Sequence, residues 1–333
     1  MIEYEETPGA TVRCVESDVA GRRVAGHATP YSGEAAAGSP FRFDPLERRL
    51  VARRASGRVA VGPPDAAVWS RAFSRCPPGP VVVGPGSPVE EIRGSYAAAA
   101  EGAAASGRGV YLLDPEPAGL PAATPRVFVA LCVWAPGADR EILRRLSSSR
   151  AAGIPAGALL PVLPGWTDGP DFLDVWFARV TAAGAQFAAA VPAAGGGDER
   201  RTLVEARAQL DPSSTDAFFE KVHHGDWEGA VRAGLRQFRD EARRRGMRAM
   251  PPRPIGAGEP ASNSAAAAHL EERAVELEDD EHRSALLHAA ARWIDESGRD
   301  LAPVVREGNF GKVFPFGALA AEAEAAFRVE GAR

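Results

Sequence analysis

The stretch Ala152-Gly153-Ile154-Pro155-Ala156-Gly157-Ala158-Leu159-Leu160-Pro161-Val162-Leu163-Pro164-Gly165-Trp166-Thr167-Asp168 decides the fold class. Gly157 to Leu163 is apolar on consecutive positions, not alternating ones, which is how a strand buried on both faces reads. A helix-like stretch, Ala138 to Ala152, precedes it. Another, Asp171 to Ala183, follows, with Phe172, Val175, Trp176 and Val180 at helical spacing. Outward from this unit the pattern repeats. Val81 to Val83, Val110 to Leu113, Val127 to Val133 and Gln186 to Val191 read as further strands. Asp65 to Phe73 and Pro88 to Ser106 read as helices between them, and the gap from Leu113 to Val127 is too short for a full crossover helix. Strand and helix in alternation imply an α/β fold with a parallel sheet. Arg22 to Thr29 holds an earlier strand, and Arg58 to Val61 is a further candidate.

The rest of the chain divides by composition. Helices are expected at Arg201 to Leu210, Thr215 to Val222 and Trp227 to Arg245, within a 199–249 segment that completes the parallel unit or packs on it. Residues 250–264 are rich in Pro, Gly and Ser and read as a linker. Residues 265–333 read as a helical region, with Leu270, Ala274, Leu277 and Leu286, Leu287, Ala290, Trp293 recurring every three to four positions. The chain has 333 residues and a net charge of −5, so no global charge draws it to nucleic acid or to an anionic membrane. No apolar run reaches the roughly 20 residues of a membrane span. The acidic start, Met1 to Glu6, has no apolar core, so no secretory signal is expected. Cys14, Cys76 and Cys132 are few and scattered, which makes a reducing cytoplasm the expected compartment.

Ala152 to Asp168 resembles the fifth-strand segment of radical S-adenosylmethionine enzymes, in the branch of spore photoproduct lyase and its photolyase-like relatives. There a helix ends in Ala-Gly-Ile and the strand ends in Pro-Val-Ile-Pro-Gly-x-Asn-Asp. Pro88-Val89-Glu90 is similar to the Pro-Ile-Glu that opens the helix after the second strand. Thr29-Pro30-Tyr31-Ser32-Gly33 resembles the Asn-Pro-Tyr-x-Gly before the cluster loop. The resemblance covers residues 20–195 in fragments and implies an incomplete (β/α)6-type parallel barrel, here residues 1–198. It also implies three cysteines holding a [4Fe–4S] cluster, with one iron open to S-adenosylmethionine. Those three positions here are Glu34, Gly38 and Phe41. A carboxylate is a hard substitute for a soft thiolate, and glycine and phenylalanine offer no ligand. Asp114-Pro115, Gly94 and Ala97 stand where the family has a Thr-Lys pair and two arginines. Radical chemistry is therefore not expected and no cofactor is expected, with S-adenosylmethionine binding left open.

Other candidates carry two readings each. Gly84, Gly86 and Ser87, at the end of a strand and the start of a helix, suit an anion through backbone amides. Ser87-Pro88-Val89-Glu90 also fits a capping box, and Glu90 opposes an anion. Asp114, Glu116, Asp168 and Glu90 fall near the carboxyl ends of strands, where the loops of an α/β barrel build the active site. Such acids bind a divalent metal or serve as acid and base, or else they cap helices; Asp168 before Gly169-Pro170 fits an N-cap. His27 is a ligand candidate ahead of the degenerate loop, or a hydrogen-bonded structural histidine. Arg232, Arg236, Arg239, Arg243, Arg244, Arg245, Arg248 and Arg253 form a basic stretch, either a nucleic-acid contact or a solvated helix face. The aromatic run Asn309 to Gly317 docks on the chain itself or on another protein. The leading expectation is a pseudoenzyme with a binding role toward a small molecule or a protein partner, for instance a true radical S-adenosylmethionine enzyme. The alternatives are a carboxylate enzyme with or without a metal, and a nucleic-acid-binding relative of a repair lyase.

Overall fold

The computed structural model describes residues 4–7, 10–14, 17–28, 41–52, 65–84, 96–115, 120–122, 124, 126–194, 197–277 and 279–330. The chain opens with short strands: β1 (Tyr4–Thr7), β2 (Ala10–Arg13), β3 (Ser17–Val19), β4 (Arg22–Val24), β5 (Gly26–Ala28), β6 (Phe41–Asp44) and β7 (Arg49–Ala52). Then come α1 (Ala66–Phe73), β8 (Val81–Val83), α2 (Tyr96–Ala105), β9 (Val110–Leu113), β10 (Phe128–Val133), α3 (Asp139–Ala151), β11 (Ala156–Val162), α4 (Pro170–Ala182) and β12 (Phe187–Pro192). Helices complete the chain: α5 (Gly197–Leu210), α6 (Thr215–His224), α7 (Trp227–Arg244), α8 (Ala261–Glu276), α9 (Glu281–Glu296), α10 (Ala302–Arg306), α11 (Phe310–Val313) and α12 (Ala320–Glu330).

Six strands, β5, β8, β9, β10, β11 and β12, lie side by side in chain order and every neighbouring pair is parallel. On the outer edge of β5 the sheet continues as antiparallel β2 and then β1. The β3–β4 and β6–β7 hairpins stand apart from it. All seven residues of β11 and all six of β10 are buried, so their unbroken apolar runs do face protein on both sides. Between β9 and β10 there is no helix among the described residues. The candidate strand at Arg58 to Val61 and the first half of the helix expected from Pro88 lie outside the described residues.

Two details depart from the sequence reading. The inward face of α4 is Leu173, Trp176, Phe177 and Val180, not the stripe through Phe172 and Val175; Val175 is exposed. Both stripes have helical spacing, and the one carrying Phe177 meets Phe238 of α7 at 5.0 Å between ring centroids, which decides the phase. The Pro- and Gly-rich stretch expected as a linker does join the sheet to the C-terminal helices, and it does so as a packed strap. Ala188 N donates to Arg248 O at 3.0 Å and Ile255 N to Arg126 O at 2.8 Å, so the strap runs past the starts of β12 and β10. It touches backbone directly: a methyl group on Gly109 would strike the Pro254 carbonyl, and one on Gly256 the Gly107 carbonyl.

A buried ion network fixes the strap and the helices to the amino end of the sheet. Arg22, fully buried in β4, donates to Pro251 O (2.8 Å), Ala268 O (2.7 Å), Glu271 Oε2 (3.0 Å) and Glu272 Oε1 (2.5 Å). Glu271 also accepts from Arg253 Nη1 at 3.0 Å and from the Arg23 backbone at 3.3 Å. Arg253 pairs with Asp295, and Arg23 reaches Asp295 at 3.3 Å and Glu296 at 3.0 Å. Behind this network α8, α9 and α12 enclose a second core of Leu270, Leu287, Ile294, Phe310 and their neighbours. The aromatic run at Asn309 to Gly317 docks there: Phe310 stacks on Phe314 at 4.8 Å and meets Trp293 edge-on at 6.4 Å.

Glu271→Gln leaves Arg22 and Arg253 buried against a neutral amide, and should cost about 3–5 kcal/mol, read as a lower urea midpoint. Asp295 titrates in the opposite sense to an ordinary paired carboxylate. Burial pushes its carboxyl up to about 6, against the pull of Arg253 and Arg23. The folded state then holds a proton that the unfolded chain releases near 3.8. This group's contribution to stability is full below about pH 4 and is lost as pH rises through 6. Asp295→Asn should remove that slope from a pH–stability curve.

Candidate functional site

At the carboxyl ends of the parallel strands the described acids are engaged in holding backbone. Asp114 follows β9 directly, is 4% exposed, and has a left-handed φ of +47°. Its Oδ1 accepts from Val133 N at 2.7 Å, tying the end of β9 to the end of β10, and lies 3.3 Å from Arg145 Nη1 of α3. Arg145 pairs in turn with Glu141 one turn earlier. Tyr96 of α2 donates its hydroxyl to Val83 O and Leu113 O, both at 3.1 Å, and so stitches the ends of β8 and β9. Asp168 is not the N-cap of α4; Gly169 is, and it makes no side-chain cap bond. Asp168 Oδ1 instead accepts from Gly165 N at 2.6 Å, which closes the Pro164-Gly165 turn. Thr167 completes that turn, accepting from Leu163 N at 2.8 Å and donating to Pro161 O at 2.7 Å.

Gly84 has a packing task. Its N–H donates to Ala28 O at 3.0 Å, and a Cβ there would come within 2.9 Å of Leu113. His27 sits mid-strand in β5, between Arg13 of β2 and Val82 of β8, and is half-buried. Gly86, Ser87, Glu90, Glu116, Glu34 and Gly38 lie outside the described residues. Phe41 is described: it is the first residue of β6, 4% exposed, and belongs to the main apolar core with Phe43. Beside the Pro164-Gly165 turn an aromatic group fills space. Trp134 meets Trp166 at 6.3 Å and Phe172 at 5.5 Å, Trp166 meets Phe218 at 5.5 Å, and the Arg207 guanidinium lies 4.8 Å over the Trp166 ring.

Among the described residues no group of three or more His, Cys, Asp or Glu is arranged to hold a metal ion. Cys14, Cys76 and Cys132 form no disulfide among the described residues, and the last two are buried. The basic stretch is largely taken up by the protein itself. Arg236 pairs with Asp279 at 2.9 Å, Arg239 donates to Val275 O at 2.8 Å, and Arg245 to Glu241 at 2.6 Å. Arg244, Arg248 and Arg253 also meet carboxylates. No helix among the described residues is long and apolar enough to cross a membrane.

A recess lies elsewhere among the described residues. A cavity of about 780 Å³ opens between the β3–β4 hairpin, the β6–β7 turn, β12, α7, the strap, and the α8–α9 pair. Its charged lining is Asp18, Arg23, Arg48, Arg239, His288 and Arg292. These come from four segments, the β3–β4 hairpin, the β6–β7 turn, α7 and α9, and no local sequence pattern links the four. No protein-family model matches the chain, and no curated protein or solved structure matches it significantly.

The role of Asp114 can be read in its variants. Asp114→Ala loses the acceptor for Val133 N, leaves Arg145 short of a partner and puts a Cβ-bearing residue with no polar arm at positive φ. It should cost about 2–4 kcal/mol. Asn keeps an acceptor and tolerates that φ, so Asp114→Asn should cost less than half as much. Paired urea melts give the comparison.

Proposed function

We propose that this chain is a cluster-free protein on a radical S-adenosylmethionine-like barrel scaffold, and that it binds a ligand or partner in place of performing the radical step. The observation that carries the reading is Phe41. Where the resemblance calls for a cluster thiolate, this chain has an apolar ring buried in the main core, within a β-hairpin paired from Phe41–Ala52 to Asp44–Arg49. A [4Fe–4S] cluster that presents one open iron needs three soft sulfur donors on a shared loop. The residues at these positions do not fit it, and no step is assigned to the group. The sequential order of six parallel strands supports a barrel-like winding, with the β6–β7 hairpin reaching the far edge through Ala194 N to Arg48 O at 2.5 Å.

The carboxylate-enzyme reading loses support because Asp114 and Asp168 each serve a backbone amide. The nucleic-acid reading loses support because the α7 arginines are drawn into internal pairs. A cytoplasmic setting remains the expectation from three scattered cysteines outside any disulfide. Anaerobic incubation with iron and sulfide, followed by desalting, tests the proposal. The expected result is no visible charge-transfer band and no retained iron. Stoichiometric iron with such a band would overturn it.

A further inference from the structure

The geometry points to the cavity between the sheet edge and the α8–α9 pair as a binding site for a small organic anion, held by Arg48 and His288 through phosphate or carboxylate oxygens. This goes beyond the cluster-free reading and does not depend on it. Three observations carry it.

The first is size. About 780 Å³ lies within the range of small-molecule sites and exceeds what a bare inorganic ion fills. The ligand therefore has an organic body as well as a charged end, and Leu235, Met250 and Ala289 supply apolar wall for that body.

The second is charge. Among the described residues the lining carries four arginines and one histidine against a single aspartate. Arg23 is held by Asp295 and Glu296, and Arg239 is steadied by Val275 O, so these guanidinium groups are fixed parts of the wall. Arg48 differs: its side chain is 48% exposed, and the lining acid Asp18 is 3.9 Å away. A guanidinium presented in this way makes a forked contact to planar carboxylate or to phosphate.

The third is the state of the opposing acid. Asp18 Oδ1 accepts from Gly21 N at 3.2 Å, so it is anchored in the β3–β4 turn. Burial raises its carboxyl above the ordinary value, against the pull of that amide, Arg48 and His288. A carboxyl so raised opposes an anion less than an ordinary one does. His288 lines the cavity from α9, so hydrogen-bond donors reach it from two elements that only the folded chain brings together.

Calorimetric titration at low ionic strength tests this with pyrophosphate and citrate as separate probes, and with glycerol as an uncharged control. At least one anion is expected to bind with a stoichiometry of one, and glycerol is not. Pyrophosphate alone would assign phosphate as the natural chemistry, and citrate alone carboxylate. Arg48→Gln and His288→Gln should each weaken the bound anion at least tenfold. Arg236→Gln, on α7 and paired with Asp279 outside the cavity lining, should leave it within twofold. Arg48 and His288 lie outside the buried ion network, and thermal melts of the variants provide the check on folding. Absence of binding by both anions to the folded wild-type chain would overturn the inference. So would binding that Arg236→Gln weakens as much as Arg48→Gln does.

Discussion

One carboxylate organises this molecule. Glu271 is fully buried, and it receives the Arg22 guanidinium, the Arg253 guanidinium and the Arg23 amide at once. Burying a lone charge is prohibitive, and burying a pair is tolerable only when nearly every donor and acceptor is met. Here the backbone carbonyls of Pro251 and Ala268 and the carboxylate of Glu272 take further Arg22 hydrogens. Such a network adds less net stability than an apolar core of the same volume would. It is, however, intolerant of any alternative arrangement. Its pairings join the strap, α8 and α9 to β4, and the cavity wall, drawn from the same elements, inherits its geometry from that docking.

The sheet interior was legible because burial on both faces leaves a local mark. Val81–Val83, Val110–Leu113 and Ala156–Val162 are unbroken apolar runs, and each is a strand within a residue of its reading. Of the amino-terminal strands only the stretch from Arg22 was read, as one strand where the structure has two, β4 and β5. β3 reads Ser-Asp-Val and β4 Arg-Arg-Val, three residues each, with charged side chains whose partners lie far along the chain. The phase of α4 was ambiguous for a related reason. Phe172, Leu173, Val175, Trp176 and Phe177 are all large and apolar, so two adjacent stripes satisfy the same periodicity. Only the position of Phe238 on another helix chooses between them.

The candidate site was less legible than the fold, and the cause is physical. An acid at a strand end reads the same whether it faces a ligand or a backbone amide. For Asp114 the deciding facts are its positive φ and the nearby Val133 amide, neither of which is a property of its neighbours in sequence. Arg239 was visible as a member of a basic helix, yet nothing there pointed to Asp18, Arg48 or His288 across the gap. Sites assembled from single residues on many elements are encoded in the docking of those elements.

The Arg22–Glu271 contact joins positions 249 residues apart, and Arg22 to Pro251 spans 229. A ribosome adds residues in order, so every strand of the sheet leaves the exit tunnel before its amino end has a counter-ion. Until α8 emerges, the nascent sheet must either keep Arg22 in water or hold a bare charge against apolar neighbours. The last quarter of the chain therefore acts as a gate on completion. A message truncated before codon 271 should yield a product that chaperones retain, however well its strands have paired.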